Sequence, residues 1–247
     1  MKRFELERAI SENELILHYQ PIVDVPGRRL RGVEALVRWK HPERGLVSPM
    51  EFISEAETSG LIRKLTLWVM REALLQASVW RRDGVPTQVG VNLSPVDIHE
   101  AGFRRFLENT LKAAGGPEHL VTEVPARGLA VDPPVAMLEL MRSMGVRVAI
   151  DDAGESDAHV LENAPADIVK VGRGLVSRLT KDHRAATFVR AFVTAAHERG
   201  LRATAVGVED EETWDSVVDI GFDTAQGYLI GAPMPPSQLS EWRAARV

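Results

Sequence analysis

The chain has 247 residues, 45% hydrophobic and 26% charged, with a formal net charge of −5 and no cysteine. That length holds one large α/β domain or two small ones, and the mild acidity argues against a general nucleic-acid binder, so no DNA partner is expected. Without cysteine there is no disulfide, zinc–thiolate or thiol chemistry, which suits a reducing compartment; a cytoplasmic location is the expectation.

The first residues, MKRFELERAISENE, carry acids where a secretory leader needs an apolar core, and read as a short amphipathic helix with Phe4, Leu6 and Ile10 apolar. No apolar run approaches about 18 residues, so no membrane insertion is expected. Leu15–Gln20 reads as a strand and Arg31–Arg38 as a second, with the turn signal Pro26-Gly27 between them. Too few residues link them for a parallel crossover, so they form an antiparallel hairpin.

The pattern then changes to alternation. Helical stretches near Pro49–Glu57 and Leu61–Arg82 precede a strand at Gln88–Asn92, and a helix near Phe103–Ala113 precedes Leu120–Val124. A helix near Pro134–Met144 stops at Gly145 and leads into Arg147-Val148-Ala149-Ile150-Asp151-Asp152. Asp167–Val171, a helix near His183–Arg199 stopped by Gly200, Ala203–Val206, a helix over Glu211–Ile220 stopped by Gly221, and Thr224–Tyr228 follow; a last helix begins at Pro236. Eight strands alternating with helices favour a (β/α)8 TIM-like barrel with one antiparallel strand. No linker divides it, so residues 1–247 read as one domain.

Two adjacent carboxylates close the buried run at Asp151-Asp152. They repel each other, and burying them costs several kcal/mol unless a cation compensates. A solvated loop start with helix-capping acids is the simpler alternative. The other strand ends weigh against it: Glu34 with Arg38 on the second strand, Asn92, Glu123, Lys170 and Gln226 on later ones. In a parallel barrel these ends share one face, where barrel enzymes place their sites. Glu, Asn, Glu and Asp make an all-oxygen set for Mg²⁺, Mn²⁺ or Ca²⁺. Arg38 and Lys170 add positive charge for an anionic ligand such as a phosphodiester. The seven histidines show no ligand spacing, and the run Glu209-Asp210-Glu211-Glu212 is most simply a helix N-terminus.

These residues resemble the EAL domain, a cyclic di-GMP phosphodiesterase family. Val33-Glu34-Ala35-Leu36-Val37-Arg38-Trp39 resembles its signature. Tyr19-Gln20-Pro21-Ile22, Val91-Asn92-Leu93-Ser94, Asp151-Asp152, Lys170, Gly207-Val208-Glu209 and Gln226-Gly227-Tyr228-Leu229 follow in family order, from about Phe4 to Trp242. The resemblance implies a barrel with one reversed strand, a role in second-messenger signalling, and hydrolysis of cyclic di-GMP to linear pGpG by two-metal displacement. It implies that Glu34, Asn92, Glu123 and Asp151 hold a first metal. Asp151 and Asp152 would hold a second, and Lys170 would orient the attacking water. Asp152 and Glu209 join Lys170 in the implied catalytic set. Gln20, Leu36, Arg38, Gln226 and Pro233, with Glu34, Asn92 and Asp151, would contact the dinucleotide.

The sequence departs from the family in one region. Where the family has a catalytic, metal-ligating glutamate on the seventh strand, the gapless alignment from Gln226 puts Val206. The loop after Asp151-Asp152 is shorter than in the family and reads Ala153-Gly154-Glu155-Ser156-Asp157; it is the loop that carries the family's dimer contact. The glutamate that anchors this loop corresponds to Ala126, and an aspartate after Lys170 corresponds to Gly172. A second register would move the metal glutamate from Glu123 to Leu120; Arg127 and Asp132-Pro133 favour Glu123. Losing a general base alone costs about 10²–10⁴ in rate. A degenerate EAL domain is therefore expected, binding cyclic di-GMP as a receptor with one divalent ion rather than two. A working phosphodiesterase that uses Glu155 or Glu209 as a substitute base is the alternative. A nucleotide-independent protein-interaction module, cued by an exposed Trp214, is the third reading. A homodimer is expected from the resemblance alone.

Overall fold

A computed structural model describes residues 3–98, 102–129 and 134–246. Nine strands are present among them: β1 (Leu15–Asp24), β2 (Leu30–His41), β3 (Gly45–Val47), β4 (Gln88–Asn92), β5 (Leu120–Pro125), β6 (Arg147–Ala153), β7 (Ile168–Val171), β8 (Arg202–Val206) and β9 (Thr224–Gln226). Their order is β1-β9-β8-β7-β6-β5-β4-β2-β3, and a further pairing of β1 with β2 closes eight of them into a barrel. β3 is an antiparallel extension of β2, from Trp39↔Val47 to His41↔Gly45, and the sequence pattern does not announce it.

The hairpin is as expected. β1 runs antiparallel to β2 from Leu15↔Trp39 to Val23↔Leu30, and antiparallel to β9 on its other side. The remaining contacts around the barrel, β2–β4 through β8–β9, are parallel. Helices at Ile62–Arg82, Phe103–Ala114, Val135–Ser143, His183–Glu198 and Glu211–Ile220 supply most of the outer ring. Apolar side chains of those helices, such as Leu65, Trp68, Met70, Leu107, Leu138, Val189 and Val217, pack on outward-facing strand residues such as Val89, Val91, Val148, Val169 and Ala203. Burying each large side chain contributes about 1.5–3 kcal/mol, which is why parallel strands covered by helices are β-branched on both sides of the pleat.

Local chemistry fixes the helix ends. Asp182 accepts from the Arg184 and Ala185 amides, and Asp210 from the Thr213 amide at 2.8 Å, so the acid run at 209–212 does begin a helix. Gly221 closes that helix at φ 92°, a left-handed conformation that costs a residue with a Cβ about 1 kcal/mol or more. Trp214 corrects one expectation: it is 5% exposed, with the Arg28 guanidinium 4.1 Å over its ring, and offers no exposed aromatic cue for a partner.

Candidate active site

Strand alternation decides what enters the barrel. Glu34 sits opposite Gln20 on β1 and Gly90 on β4, Asn92 opposite Glu123, and Lys170 opposite Thr204. Side chains two residues apart share a face, so β2 sends Gly32, Glu34 and Leu36 inward, and β6 sends Arg147, Ala149 and Asp151. The strand C-termini open on a groove of about 1010 Å³. Glu34, Leu36, Asn92, Asp151, Asp152, Lys170 and Val206 border it.

Lys170 is the centre of the polar network. Its ammonium, 2% exposed, lies 2.5 Å from Glu123 Oε2, 3.1 Å from Glu34 Oε2 and 3.3 Å from Asp151 Oδ1. Asn92 Nδ2 donates to Glu34 Oε1 at 2.8 Å. Gln226 Nε2 donates to Glu34 Oε2 at 2.8 Å and to Gln20 Oε1 at 2.9 Å, while Gln20 Nε2 donates to the Gly231 carbonyl. Gly90 makes this possible: a Cβ there would overlap Glu123 Oε1. Of the two sequence registers, the structure therefore sets Glu123 beside Lys170, whereas Leu120 lies in the core at 1% exposure.

The electrostatics follow from three carboxylates around one ammonium. Burial opposes the Lys170 charge, but Asp151, Glu123 and Glu34 outweigh it and hold its pKa well above the ordinary lysine value. Burial also opposes Glu34 ionisation; Lys170, Gln226 and Asn92 outweigh that and pull its carboxyl below the usual range. Glu123 goes the other way, pushed up to about 8 by burial and by the neighbouring Glu34 and Asp151 charges against the pull of Lys170. A buried cluster with more acids than cations favours any further cation.

The donor chemistry fits a hard divalent ion: carboxylate oxygens of Glu34, Glu123 and Asp151, and the amide oxygen that Asn92 keeps free when its nitrogen bonds Glu34. As arranged, the acids are drawn onto Lys170, and no group of three acids or histidines stands ready as a ligand cage among the described residues. A second ion has poorer support. Val206 faces the groove at the end of β8 with no donor atom. Asp152 adopts φ 53° and turns its carboxyl to Gly172, where a Cβ would overlap Asp152 Oδ1. Burial and the adjacent Asp151 charge raise the Asp152 pKa. Ala126, 1% exposed, is packed in the core.

Other expected site residues fall at the rim or outside. The Arg38 guanidinium, lowered in pKa by burial against the pull of Glu34, turns to the Val37 carbonyl at 2.8 Å. Pro233 is half-buried, and its backbone meets His18, whose charge burial and Arg38 both disfavour. Neither Arg38 nor Pro233 borders the groove itself. Glu209 does not border the groove itself, but its carboxylate pairs at 2.8 Å with Arg173, which does. Glu155 is likewise held by Arg178 at 3.2 Å, in a 3₁₀ turn over Glu155–Asp157 tied by the Gly154 amide to Asp157 Oδ2. His99 and Asp132-Pro133 lie outside the described residues. Sequence reading missed Asp97, 1% exposed on the groove wall, whose carboxyl burial raises against the pull of Thr66 and Arg63. An acid soon after Asn92-Leu93-Ser94 and just before the apolar Ile98 was the available signal.

Comparison with known proteins decides the family. Residues 3–233 match the EAL domain. The chain belongs to the EAL domain family. Among solved EAL structures, the PaMucR phosphodiesterase in complex with c-di-GMP superposes with a TM-score of 0.90 at 36% identity, covering 96% of this chain and 98% of that one. The bifunctional diguanylate cyclase/cyclic di-GMP phosphodiesterase MucR of Pseudomonas aeruginosa is 36% identical over 95% of this chain and 35% of its own length. The cyclic di-GMP phosphodiesterase PdeR of Escherichia coli is 31% identical over 96% of this chain and 36% of its own. An uncharacterized signaling protein of Caulobacter vibrioides is 36% identical over 98% and 30%. The EAL chain described here thus spans about a third of the length of these curated relatives. Among the described residues, no helix is long and apolar enough to cross a membrane.

Proposed function

We propose that this EAL domain binds cyclic di-GMP in the groove at the strand C-termini and acts as a receptor whose phosphodiester hydrolysis is lost or slow. The observation that carries this reading is Val206. An apolar side chain borders the groove where the family resemblance calls for an acid, while the network of Glu34, Asn92, Glu123, Asp151 and Lys170 stays connected. A hydrocarbon neither ligates a cation nor takes a proton from water.

Glu34, Asn92, Glu123 and Asp151 would hold one divalent ion, which when bound supplies charge neutralisation for a phosphodiester. Gln20 and Gln226 brace Glu34 from below the groove; Leu36, Arg38 and Pro233 contribute an apolar wall and a cation near the rim. Calorimetry with cyclic di-GMP, with and without Mg²⁺ or Ca²⁺, tests the reading. Saturable binding with no pGpG formed in Mn²⁺ is the expected result; absence of binding overturns it.

A working phosphodiesterase is the second reading, favoured by the retained Lys170 and Asp152 and by relatives named as such enzymes. It needs a base; Glu155 is held by Arg178 outside the groove, and Glu209 is held by Arg173 at its border. Production of pGpG, abolished by Glu34→Ala, would promote it. A homodimer and a protein partner remain proposals without a structural cue on this chain.

A further inference from the structure

The opposite pole of the barrel carries an unusual charge arrangement. A small cavity of about 50 Å³ lies inside the strand N-termini, bordered by Arg31, Arg147 and Arg202, with Gln88, Thr204 and Thr224 between them. Gly32 and Gly90 also border it, and Glu123 and Lys170 form its roof. Arg147 and Arg202 open β6 and β8, and Arg31 is the second residue of β2. Their guanidinium groups are close enough for Arg31 and Arg147 both to disfavour the Arg202 charge, on top of its burial.

Little offsets this repulsion. No ion pair of Arg31 or Arg147 is found among the described residues, and Arg147 only donates to Gln88 Oε1 at 3.2 Å. Arg202 reaches Asp223 only at 4.0 Å. Asp223 is already committed to His197 at 2.9 Å and to the Ala203 amide at 2.7 Å. Asp24, the other acid acting on Arg202, is taken by the Arg29 amide at 2.8 Å and the Arg29 guanidinium at 3.6 Å. Three guanidinium groups around one small, partly open space, with the Gln88 amide and the hydrogen-bonded Thr204–Thr224 hydroxyl pair beside them, form a fork-like donor set matched to a tetrahedral oxyanion.

We infer that the N-terminal end of the barrel is a second ligand site, for a phosphate group, with Arg31, Arg147 and Arg202 as its donors. It is separate from the groove and does not depend on the function proposed for that groove. The cavity admits inorganic phosphate or the terminal phosphate of a mononucleotide entering from the strand N-termini.

Thermal melts and ³¹P line broadening of the full chain, titrated at constant ionic strength with sodium phosphate or guanosine 5′-monophosphate against sodium chloride, test it. Phosphate is expected to raise the melting temperature and broaden saturably. Arg31→Gln and Arg147→Gln are each expected to weaken binding about tenfold or more. An effect of inorganic phosphate names the free ion; an effect of the nucleotide alone, lost in the same variants, names a nucleotide phosphate. In phosphate-free buffer the variants should melt no lower than the wild type, because they relieve repulsion. No saturable effect of either compound, or variants that melt lower while retaining full phosphate affinity, would overturn the site. Should Arg147→Gln fail to fold, the exposed Arg31→Gln and the wild-type titration decide alone.

Discussion

Lys170→Met isolates the element on which the candidate active site is built. The methionine keeps an unbranched apolar stem, one atom shorter, and removes the charge. Glu123, Glu34 and Asp151, now 2.5, 3.1 and 3.3 Å from an ammonium, would face one another without it. Breaking a buried pair by deleting one partner costs about 3–5 kcal/mol. For a chain of this size that is a fall of about 6–20 °C in Tm. The pH dependence has a definite sign. A raised lysine pKa means a contribution fully present below the ordinary lysine value and lost only at higher pH. The lowered Glu34 pKa contributes above the ordinary carboxylate value and is lost as pH falls through the folded one. Glu123, at about 8, works in reverse: the folded state retains a proton that the unfolded state has released, so stability declines as pH rises to that value. Without Lys170, Glu34 and Glu123 must ionise unassisted. The deficit should be largest near pH ~8.5 and shrink near pH ~5.5, where protons replace the lost cation. Calorimetric melts in a chelator, to keep stray cations away, measure it. A Tm loss of equal size at both pH values would refute the charge argument, as would no loss.

Further outcomes follow from neighbouring contacts. Val206→Glu should gain about 10²-fold or more in pGpG production with Mn²⁺; an unchanged rate would place the defect elsewhere. Gly90→Ala should displace Glu123 and cost about 1–3 kcal/mol in urea unfolding, with weakened divalent-ion binding; wild-type stability would show that Glu123 can rotate freely. Gln226→Ala strands Gln20 Oε1 and leaves Glu34 Oε2 with Lys170 alone, which should cost about 1–3 kcal/mol and weaken cyclic di-GMP binding. Glu209→Gln should leave nucleotide binding unchanged, since Glu209 itself does not border the groove; a loss in calorimetry would restore that acid to the site.

The barrel was legible because strand and helix periods alternate, and because the short Pro26-Gly27 link forbids a parallel crossover. The hairpin, the glycine stop at Gly221 and the cap at Asp210 are local chemistry, which sequence carries directly. β3 was not legible: three residues have no period, and its pairing with β2 is decided by the neighbouring strand. The inward set of Glu34, Asn92, Glu123, Asp151, Lys170 and Gln226 could be read because alternation puts every second residue inside. What these groups do to one another could not. That Lys170 gathers three acids, and that Glu209 and Glu155 are diverted to Arg173 and Arg178, depends on partners far along the chain. Trp214 misled for the same reason, since Arg28 covers it from the β1–β2 turn.

The reversal of β1 has a mechanical side. In an all-parallel barrel the first strand would enter from the pole where Arg31, Arg147 and Arg202 stand. Here Leu15 lies beside Trp39, so the chain comes in from the open end of the groove and descends past Gln20, opposite Glu34. The helix Arg3–Ser11 is joined to that entry point by only a few residues. In a longer polypeptide, only this helix and one antiparallel ribbon, both seated on the core through Leu6, Leu15, Leu17 and Tyr19, would separate a displacement ahead of the helix from the carboxylate at 34.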